Sequence, residues 1–315
     1  MSIYLLLLAG FAILMVGGEL LVRGAAGLAL KAKISPLVVG LTVVSIGTSA
    51  PELFASLQAV WQGSPEICVG NVIGSNIANL GLVLAITVLI FPITVDRQVL
   101  RQDWPMMLIA TLAFYIFSLD GRLSFLDGLI FTATLALFTI YLIVRSRMQA
   151  ADREHMEETE EFTKVAGQAY WKLLGLIGVG CVGLYFGSEW FLEGAIGVAT
   201  QFGVSDHVIG VTVVAFGTSV PELAASGIAA FRKQSDISLG NLVGSNIFNL
   251  LGVLGVTAMT GSLPISDTVM HWDYFWVLGV ALLLFPMMFF KGKIGRIDGL
   301  ILLASYVAYI TFLVI

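Results

Sequence analysis

Two glutamates end matching polar segments inside long apolar stretches of this sequence. Residues 47–52 read Gly-Thr-Ser-Ala-Pro-Glu and end at Glu52, whereas residues 217–222 read Gly-Thr-Ser-Val-Pro-Glu and end at Glu222. A carboxylate in the middle of a membrane span costs roughly 2.5–3.5 kcal/mol on insertion scales, so it needs a compensating partner. Because no Lys or Arg occurs at comparable depth, the simplest partner is a cation that enters and leaves.

Further oxygen donors surround both glutamates. Gly47 weakens a helix and Pro51 removes a backbone donor, so the pair predicts a broken helix, with Ser49 as a plausible N-cap of its second half. The carbonyls freed by the two breaks are those around Ser45, Thr48, Ala215 and Thr218. Carboxylate, hydroxyl and carbonyl oxygens are hard ligands. Calcium takes roughly six to eight of them, and sodium suits the same ligand type.

A polar stripe follows each glutamate at the same distance. Asn71, Ser75 and Asn79 are spaced four residues apart and therefore share one helix face. The second copy of the stripe consists of Asn241, Ser245 and Asn249. Such a stripe could by itself serve as polar contact between helices. Its repetition after a buried glutamate favours a part in the same site.

The composition indicates that these segments lie in a membrane protein. Of the 315 residues, 58% are hydrophobic and 12% charged, about half the charge of a soluble domain. A membrane helix needs roughly 20 apolar residues, and charge, Pro and Gly divide the chain into ten such spans. The predicted spans are 3–30, 36–61, 67–91, 104–119, 123–145, 170–200, 206–231, 237–261, 272–290 and 295–315.

Basic residues predict the orientation of these spans. Alternate connections together hold 15 of the 16 Lys and Arg residues, and the other side holds only Arg122. Because basic connections stay in the cytoplasm, we expect both termini outside the cell and the acidic linker 147–169 inside. The expected location is the cell membrane. In a bacterium that has two membranes, this is the inner membrane.

An internal repeat relates the two halves at an offset of 170 residues. Residues 42–80 and 212–250 align without a gap and share 21 of 39 positions. Each unit holds five spans, an odd number, so the second unit enters the membrane from the opposite side. The predicted fold is an all-α integral membrane protein with ten transmembrane helices in two inverted five-helix repeats, with helices 2 and 7 broken. The first repeat spans 1–146, and the second 170–315. Such inverted halves are typical of transporters.

The remaining polar residues favour structural roles. Glu19 and Glu189 share the repeat offset, and we expect them to face polar neighbours, Glu19 beside Arg23. Asp127 and Asp298 open helices, where an acid suits the helix N-terminus. The three histidines (155, 207 and 271) fall in predicted connections and no His-Glu-x-x-His segment occurs, so we expect no enzyme.

The two motifs resemble a known family. The paired Gly-Thr-Ser-x-Pro-Glu segments, each followed by Gly-Asn-x-x-Gly-Ser-Asn-Ile-x-Asn, resemble the two alpha repeats of the sodium/calcium exchanger family of cation/calcium antiporters. The likeness is specific in 38–82 and 208–252, and the short linker resembles microbial members. It implies sodium and calcium as transported substrates, with no cofactor and no nucleic acid; protein partners stay open.

The resemblance also implies a ligand set. Glu52 and Glu222 would be the central ligands shared by calcium and sodium. The other implied ligands are Thr48, Thr218, Ser49, Ser219, Ser75, Ser245, Asn79 and Asn249, with the backbone carbonyls of Ser45 and Ala215 at the outer sodium positions. Potassium-dependent relatives carry an Asp where Asn249 stands, which weakens any potassium dependence.

Three alternatives stay open at this point. A proton-coupled or other divalent-cation antiporter could use the same fold, although proton/calcium exchangers usually carry a Gly-Asn-Ala-x-Glu-His-like segment that is absent here. A cation channel could use the two broken helices as its filter. An intramembrane enzyme could use the two glutamates as acid and base.

Overall fold

The structure is a bundle of apolar helices joined by short connections. The computed structural model describes residues 2–149, 165, 167–203 and 217–314. The helices are α1 Ile3–Ala32, α2 Pro36–Thr48, α3 Ala50–Trp61, α4 Pro65–Ile90, α5 over 99–117, α6 Phe125–Gln149, α7 Tyr170–Gln201, α8 Val220–Phe231, α9 Ser235–Thr260, α10 Val269–Lys291 and α11 Arg296–Val314.

Most described helices are able to cross a bilayer. Seven are long and apolar enough, and α2 with α3 gives an eighth when the bent pair counts as one span. Helix α5 is apolar beyond its polar first turn. Helix α8 forms the second part of the predicted span 206–231, and residues 204–216 lie outside the described ranges. The all-α membrane fold is confirmed.

Helix boundaries match the predicted spans closely, with one clear exception. The fourth span was predicted to begin at residue 104, but α5 begins at Val99, because residues 99–103, of which the last three are polar, form a π-helical turn at its start. The same turn opens α10 at Val269–Asp273. His271 therefore lies in a helix, where it is exposed, and its predicted place in a connection was wrong.

The predicted helix break is present at Ser49. Helices α2 and α3 meet there at an angle of 43°, and Pro51 stands in the first turn of α3. Ser49 is the N-cap residue of α3, as predicted, but its side chain makes no capping hydrogen bond. Its hydroxyl instead donates to Glu222 across the bundle. Ser219 occupies the matching position before α8.

Contacts between connections sort the helix ends into two sets. Strand β1 (Ile93–Thr94) pairs antiparallel with a strand at Lys293–Ile294, and Arg122–Leu123 pairs with Leu263–Pro264. On the first of these sides the backbone N–H of Ser35 also donates to Ser146. We call this the basic side: it comprises the helix ends at 33–35, 91–98, 146–149, 167–169, 232–234 and 292–295.

The opposite side comprises the ends at 62–64, 118–124, 202–203 and 261–268. Tyr4, next to the N-terminus, donates to Gln201 there. The chain therefore alternates between the sides from helix to helix, with α2 and α3 as one crossing, as the sequence predicts for five spans per half.

Helices α1 and α7 cross at backbone contact along their length. A Cβ added to Gly17 would lie 2.9 Å from the backbone N of Leu184, and one added to Gly180 would lie 2.6 Å from the backbone N of Leu21. Gly10, Gly24, Gly187 and Gly194 make similar approaches. These glycines repeat every seven residues in both helices, and small residues of this kind let membrane helices approach closely.

We predict that Gly180→Ala destabilises the protein by roughly 1–3 kcal/mol, because the added methyl group overpacks the α1–α7 contact. Gly178→Ala is the matched control, since Gly178 is exposed on the same helix with open space at its Cβ. Thermal unfolding of the detergent-purified protein measures both. Equal melting temperatures for the two variants would contradict the close approach.

Candidate cation site

Both motif glutamates lie in the interior, each in the first turn of a half-helix. Glu52 lies in the first turn of α3 and is 1% exposed, and Glu222 lies in the first turn of α8 and is 0% exposed. A helix N-terminus stabilises a negative charge nearby. The N-termini of α3 and α8 thus place two carboxylates where backbone dipoles stabilise their charge, although burial away from water destabilises it.

Hydrogen bonds between the two halves surround these glutamates. The Thr48 and Ser245 hydroxyls lie 3.3 Å apart, and the Ser75 and Thr218 hydroxyls lie 3.4 Å apart. These two pairs are related by the 170-residue repeat. The Ser49 hydroxyl also donates to Glu222 Oε1 at 3.1 Å. Six of the predicted ligands, three from each repeat, therefore meet at one place.

Several oxygens at this place have no hydrogen-bond partner among the described residues. They include both Glu52 carboxylate oxygens, Glu222 Oε2 and Ser219 Oγ. The side-chain amides of Asn79 and Asn249 are buried and likewise unpaired within the same ranges. Because buried polar groups are nearly always satisfied, this concentration of free oxygens is suited to a hard cation.

Local backbone geometry helps to place the two asparagines. Asn79 opens a π-helical turn at Asn79–Val83 of α4, and Asn249 lies in the turn Phe248–Val253 of α9. Such turns occur often at functional sites. Within the described ranges no three Asp, Glu, His or Cys side chains come together as a metal site. A cation here would therefore be held by two carboxylates with hydroxyl and amide oxygens.

Of the two predicted backbone ligands, the structure describes Ser45 but not Ala215. The Ser45 carbonyl is not freed by the break, because it accepts a hydrogen bond from the Ser49 N–H at 2.9 Å and another from the Thr48 hydroxyl at 3.3 Å. The Ser45 side chain donates to the Gly40 carbonyl in the preceding turn. Ala215 lies outside the described residues.

Two buried residues that orient Thr48 were not among the predicted ligands. Thr48 Oγ1 donates to Asn241 Oδ1 at 3.1 Å, and Asn241 Nδ2 donates to Ser226 Oγ at 2.8 Å. Asn241 was noticed only as part of the polar stripe, and Ser226 was missed. The repeat could have revealed Ser226 in the sequence, because a serine, Ser56, stands 170 residues before it. The Ser56 hydroxyl makes the related contact and accepts from Asn71 at 3.4 Å.

The site is closed toward the basic side and more open toward the opposite side. On the basic side α2 packs on α9, where a Cβ added to Gly240 would lie 2.6 Å from the Leu37 carbonyl oxygen. The equivalent residue in α4, Gly70, is exposed. Asn71 and Thr218 are half-buried, whereas their repeat partners Asn241 and Thr48 are fully buried.

The other acids behave largely as the sequence predicts. Glu19 forms ion pairs with Arg23 and also with Arg232. Asp127 accepts from the Ser124 backbone N–H at 2.7 Å, which caps the start of α6. Asp298 accepts from the Gly295 backbone N–H at 2.8 Å and pairs with Lys291 at the start of α11. The acidic residues of 152–161 lie outside the described ranges.

Comparison with solved structures connects this arrangement to transport. The chain superposes on the sodium-calcium exchanger NCX_Mj with a TM-score of 0.81 and 32% sequence identity, covering 97% of each chain. The shared fold and the buried oxygen-rich site define an integral membrane cation/calcium antiporter.

The family follows from the sequence matches. A family model described as sodium/calcium exchanger protein matches residues 2–144 and 172–315, and the chain belongs to this family. Inner membrane protein YrbG of Escherichia coli strain K12 is 33% identical over 313 residues, covering 98% of this chain and 95% of YrbG. Sodium/calcium exchanger MaX1 of Methanosarcina acetivorans is 29% identical over 349 residues, covering 98% of each chain.

Membership settles two further points. The family consists of transporters, so the protein is a multi-pass membrane transporter and not an enzyme. The ions are its substrates, and the family uses no cofactor.

We predict that Ser226→Ala destabilises the protein more than Ser56→Ala does. Removing Ser226 leaves the buried Asn241 amide without its 2.8 Å acceptor, at a cost of roughly 1–3 kcal/mol. The Ser56 bond is longer and its partner Asn71 is half-exposed, so water can replace it. Melting temperatures of the two variants test this order. A larger loss in Ser56→Ala would contradict it.

Proposed function

We propose that this chain exchanges sodium for calcium by alternating access at the site formed by Glu52 and Glu222. The observation that carries the proposal is the pair of buried carboxylates, three of whose four oxygens lack a hydrogen-bond partner among the described residues. The family membership supports sodium and calcium as the substrates, and the relatives MaX1 and NCX_Mj are named sodium/calcium exchangers.

Charge balance explains why exchange would be obligatory. The two ionised glutamates give the site a charge of −2, which one calcium ion or two sodium ions neutralise. A carboxylate that stays charged is costly to expose to hydrocarbon. An empty site would therefore resist the conformational change, and a loaded site would permit it.

The proposed ligands divide between the two glutamates and the repeated polar residues. Glu52 and Glu222 would bind either ion at the centre, with Asn79 and Asn249 lining that position. Sodium ions would occupy flanking positions made by Thr48, Ser49, Ser245 and the Ser45 carbonyl on one side, and by Thr218, Ser219, Ser75 and Ala215 on the other. Because the Ser45 carbonyl already accepts two hydrogen bonds, a sodium ion there would replace the longer one, the 3.3 Å bond from the Thr48 hydroxyl. Asn249 adds no third carboxylate, so no potassium ion is needed for charge balance.

The proposed motion uses the glycine-lined pair α1 and α7. Their buried contacts with α8, with one face of α2 and with Ile237 of α9 form one apolar cluster. The helices α4, α5, α6, α9, α10 and α11 form another, together with Leu37, Val38 and Leu41 of α2. We propose that the pair slides over the rest of the bundle, including α8, and opens the site to each side in turn. The inverted repeat supports this, because exchanging the conformations of the two halves would open the other side.

The proposed orientation follows the basic residues. The basic side would face the cytoplasm, with both termini and the open side of the site outside and the linker 147–169 inside. The inner membrane is the proposed location, which the name of the relative YrbG supports.

We predict that Glu52→Gln and Glu222→Gln each lower sodium-driven calcium uptake by roughly 10- to 100-fold, the loss expected for one charged contact. Calcium-45 uptake into proteoliposomes loaded with sodium measures this. Glu66→Gln is the matched control, because Glu66 is an exposed acid at the start of α4.

The same vesicles distinguish the alternatives. Calcium uptake driven by a pH gradient in the absence of sodium would replace the proposal with proton-coupled exchange. Calcium flux without any counter-ion gradient, at rates far above those of exchangers, would indicate a channel. Undiminished exchange in both glutamine variants would refute the site.

A further inference from the structure

We propose that the Glu19–Arg232 ion pair is a one-sided latch that favours the conformation closed on the basic side. The inference rests on the proposed alternating access and concerns the balance between its two open states. Arg232 Nε donates to Glu19 Oε2 at 3.1 Å, and a second guanidinium nitrogen contacts Glu19 Oε1. The pair joins the middle of α1 to the end of α8.

The ion pair lies at the edge of a tight contact between α1 and α8. Gly18, next to Glu19, packs against α8, where an added Cβ would lie 3.3 Å from the Ala224 carbonyl oxygen and closer still to the Ile228 side chain. Ile228 is buried there. Glu19 is 25% exposed and Arg232 30% exposed, so water screens the pair only in part.

The contact between α7 and α3, which the repeat relates to that between α1 and α8, is less extensive. The repeat relates α1 and α8 to α7 and α3, and it relates Ala224 and Ile228 to Phe54 and Gln58. Phe54 is 65% exposed, and Gln58 is also exposed. If transport exchanges the conformations of the halves, the α1–α8 contact is present in one open state and loosened in the other.

The sequence provides the ion pair in only one half. Glu189 corresponds to Glu19, but Gln62 stands at the position that corresponds to Arg232. The residue that corresponds to Arg23 is Glu193, an acid. Both Glu189 and Glu193 are exposed. When α7 packs on α3, this interface therefore gains no equivalent pair, and the Glu19–Arg232 contact contributes to a free-energy difference between the two open states.

A contact made in one of two states shifts their populations by its own free energy. Arg23 lies on α1 with Glu19, so the bond between these two residues moves with the helix and does not distinguish the states. The bond from Arg232 does, because it joins two helices that separate. The latch therefore favours the state that is open on the side opposite the basic residues.

Electron paramagnetic resonance distance measurements test this directly. Spin labels at Leu8→Cys on α1 and Ile116→Cys on α5 report the position of the sliding pair, since both side chains are exposed and lie away from the site. The background carries Cys68→Ser and Cys181→Ser. The labelled parent in lipid nanodiscs, measured in calcium, in sodium and in neither, should show two distances whose ratio changes with the ion.

In Glu19→Gln and Arg232→Gln we expect the population that matches the present structure to fall relative to the other by roughly three- to tenfold, the effect of one partly buried ion pair. Arg232→Lys should retain most of the parent ratio. Glu189→Gln, the repeat-related control, should leave it unchanged.

The outcomes separate the two proposals. A parent with one distance under all ionic conditions would overturn alternating access, and the latch with it. Two distances in the parent with an unchanged ratio in Glu19→Gln and Arg232→Gln would overturn the latch alone, as would an equal shift in Glu189→Gln. A parent-like melting temperature in the shifted variants excludes general destabilisation as the cause.

Discussion

Two carboxylates in one buried site are the constraint on which the rest of the structure depends. Glu52 and Glu222 are both fully buried, and in the described part of the chain no Lys or Arg side chain pairs with either of them. Like charges in a medium of low dielectric constant repel each other strongly. Two helix N-termini and several hydroxyl groups offset part of this repulsion, and the Ser49 hydroxyl donates directly to Glu222. The remaining demand for positive charge suits a mobile cation.

The inverted repeat supplies these groups in pairs. The Thr48–Ser245 and Ser75–Thr218 contacts are the same contact made twice, 3.3 and 3.4 Å long. The symmetry is incomplete, because Ser49 bonds Glu222 whereas Ser219 Oγ has no partner among the described residues. Gly240 of α9 packs closely on α2 and Gly18 of α1 packs closely on α8, whereas the repeat-related surfaces at Gly70 and Phe54 are exposed. Two halves of similar sequence but different packing are expected of a transporter that alternates between two states, because each state gives the halves different conformations.

The sequence predicted what depends on local pattern or on the repeat. Span limits, the break at Ser49 and the burial of Glu52 and Glu222 all follow from apolar length, from Pro and Gly, and from the 170-residue offset. It could not predict contacts that depend on how the halves meet. The Ser49 side chain bonds Glu222 and makes no capping hydrogen bond to α3, and Thr48 bonds Asn241 of the other repeat. The first turn of α5 was missed because its polar residues resemble a connection.

The glycine contact between α1 and α7 explains how one polar latch can position two helices. Close backbone contact through Gly10, Gly17 and Gly180 joins α1 to α7, so the proposed slide moves the pair as one body. A directional ion pair between α1 and α8 determines the end point of that slide. Because Gln62 replaces the arginine in the other half, only one end of the slide would be fixed in this way, which makes the two open states of a symmetric fold energetically unequal.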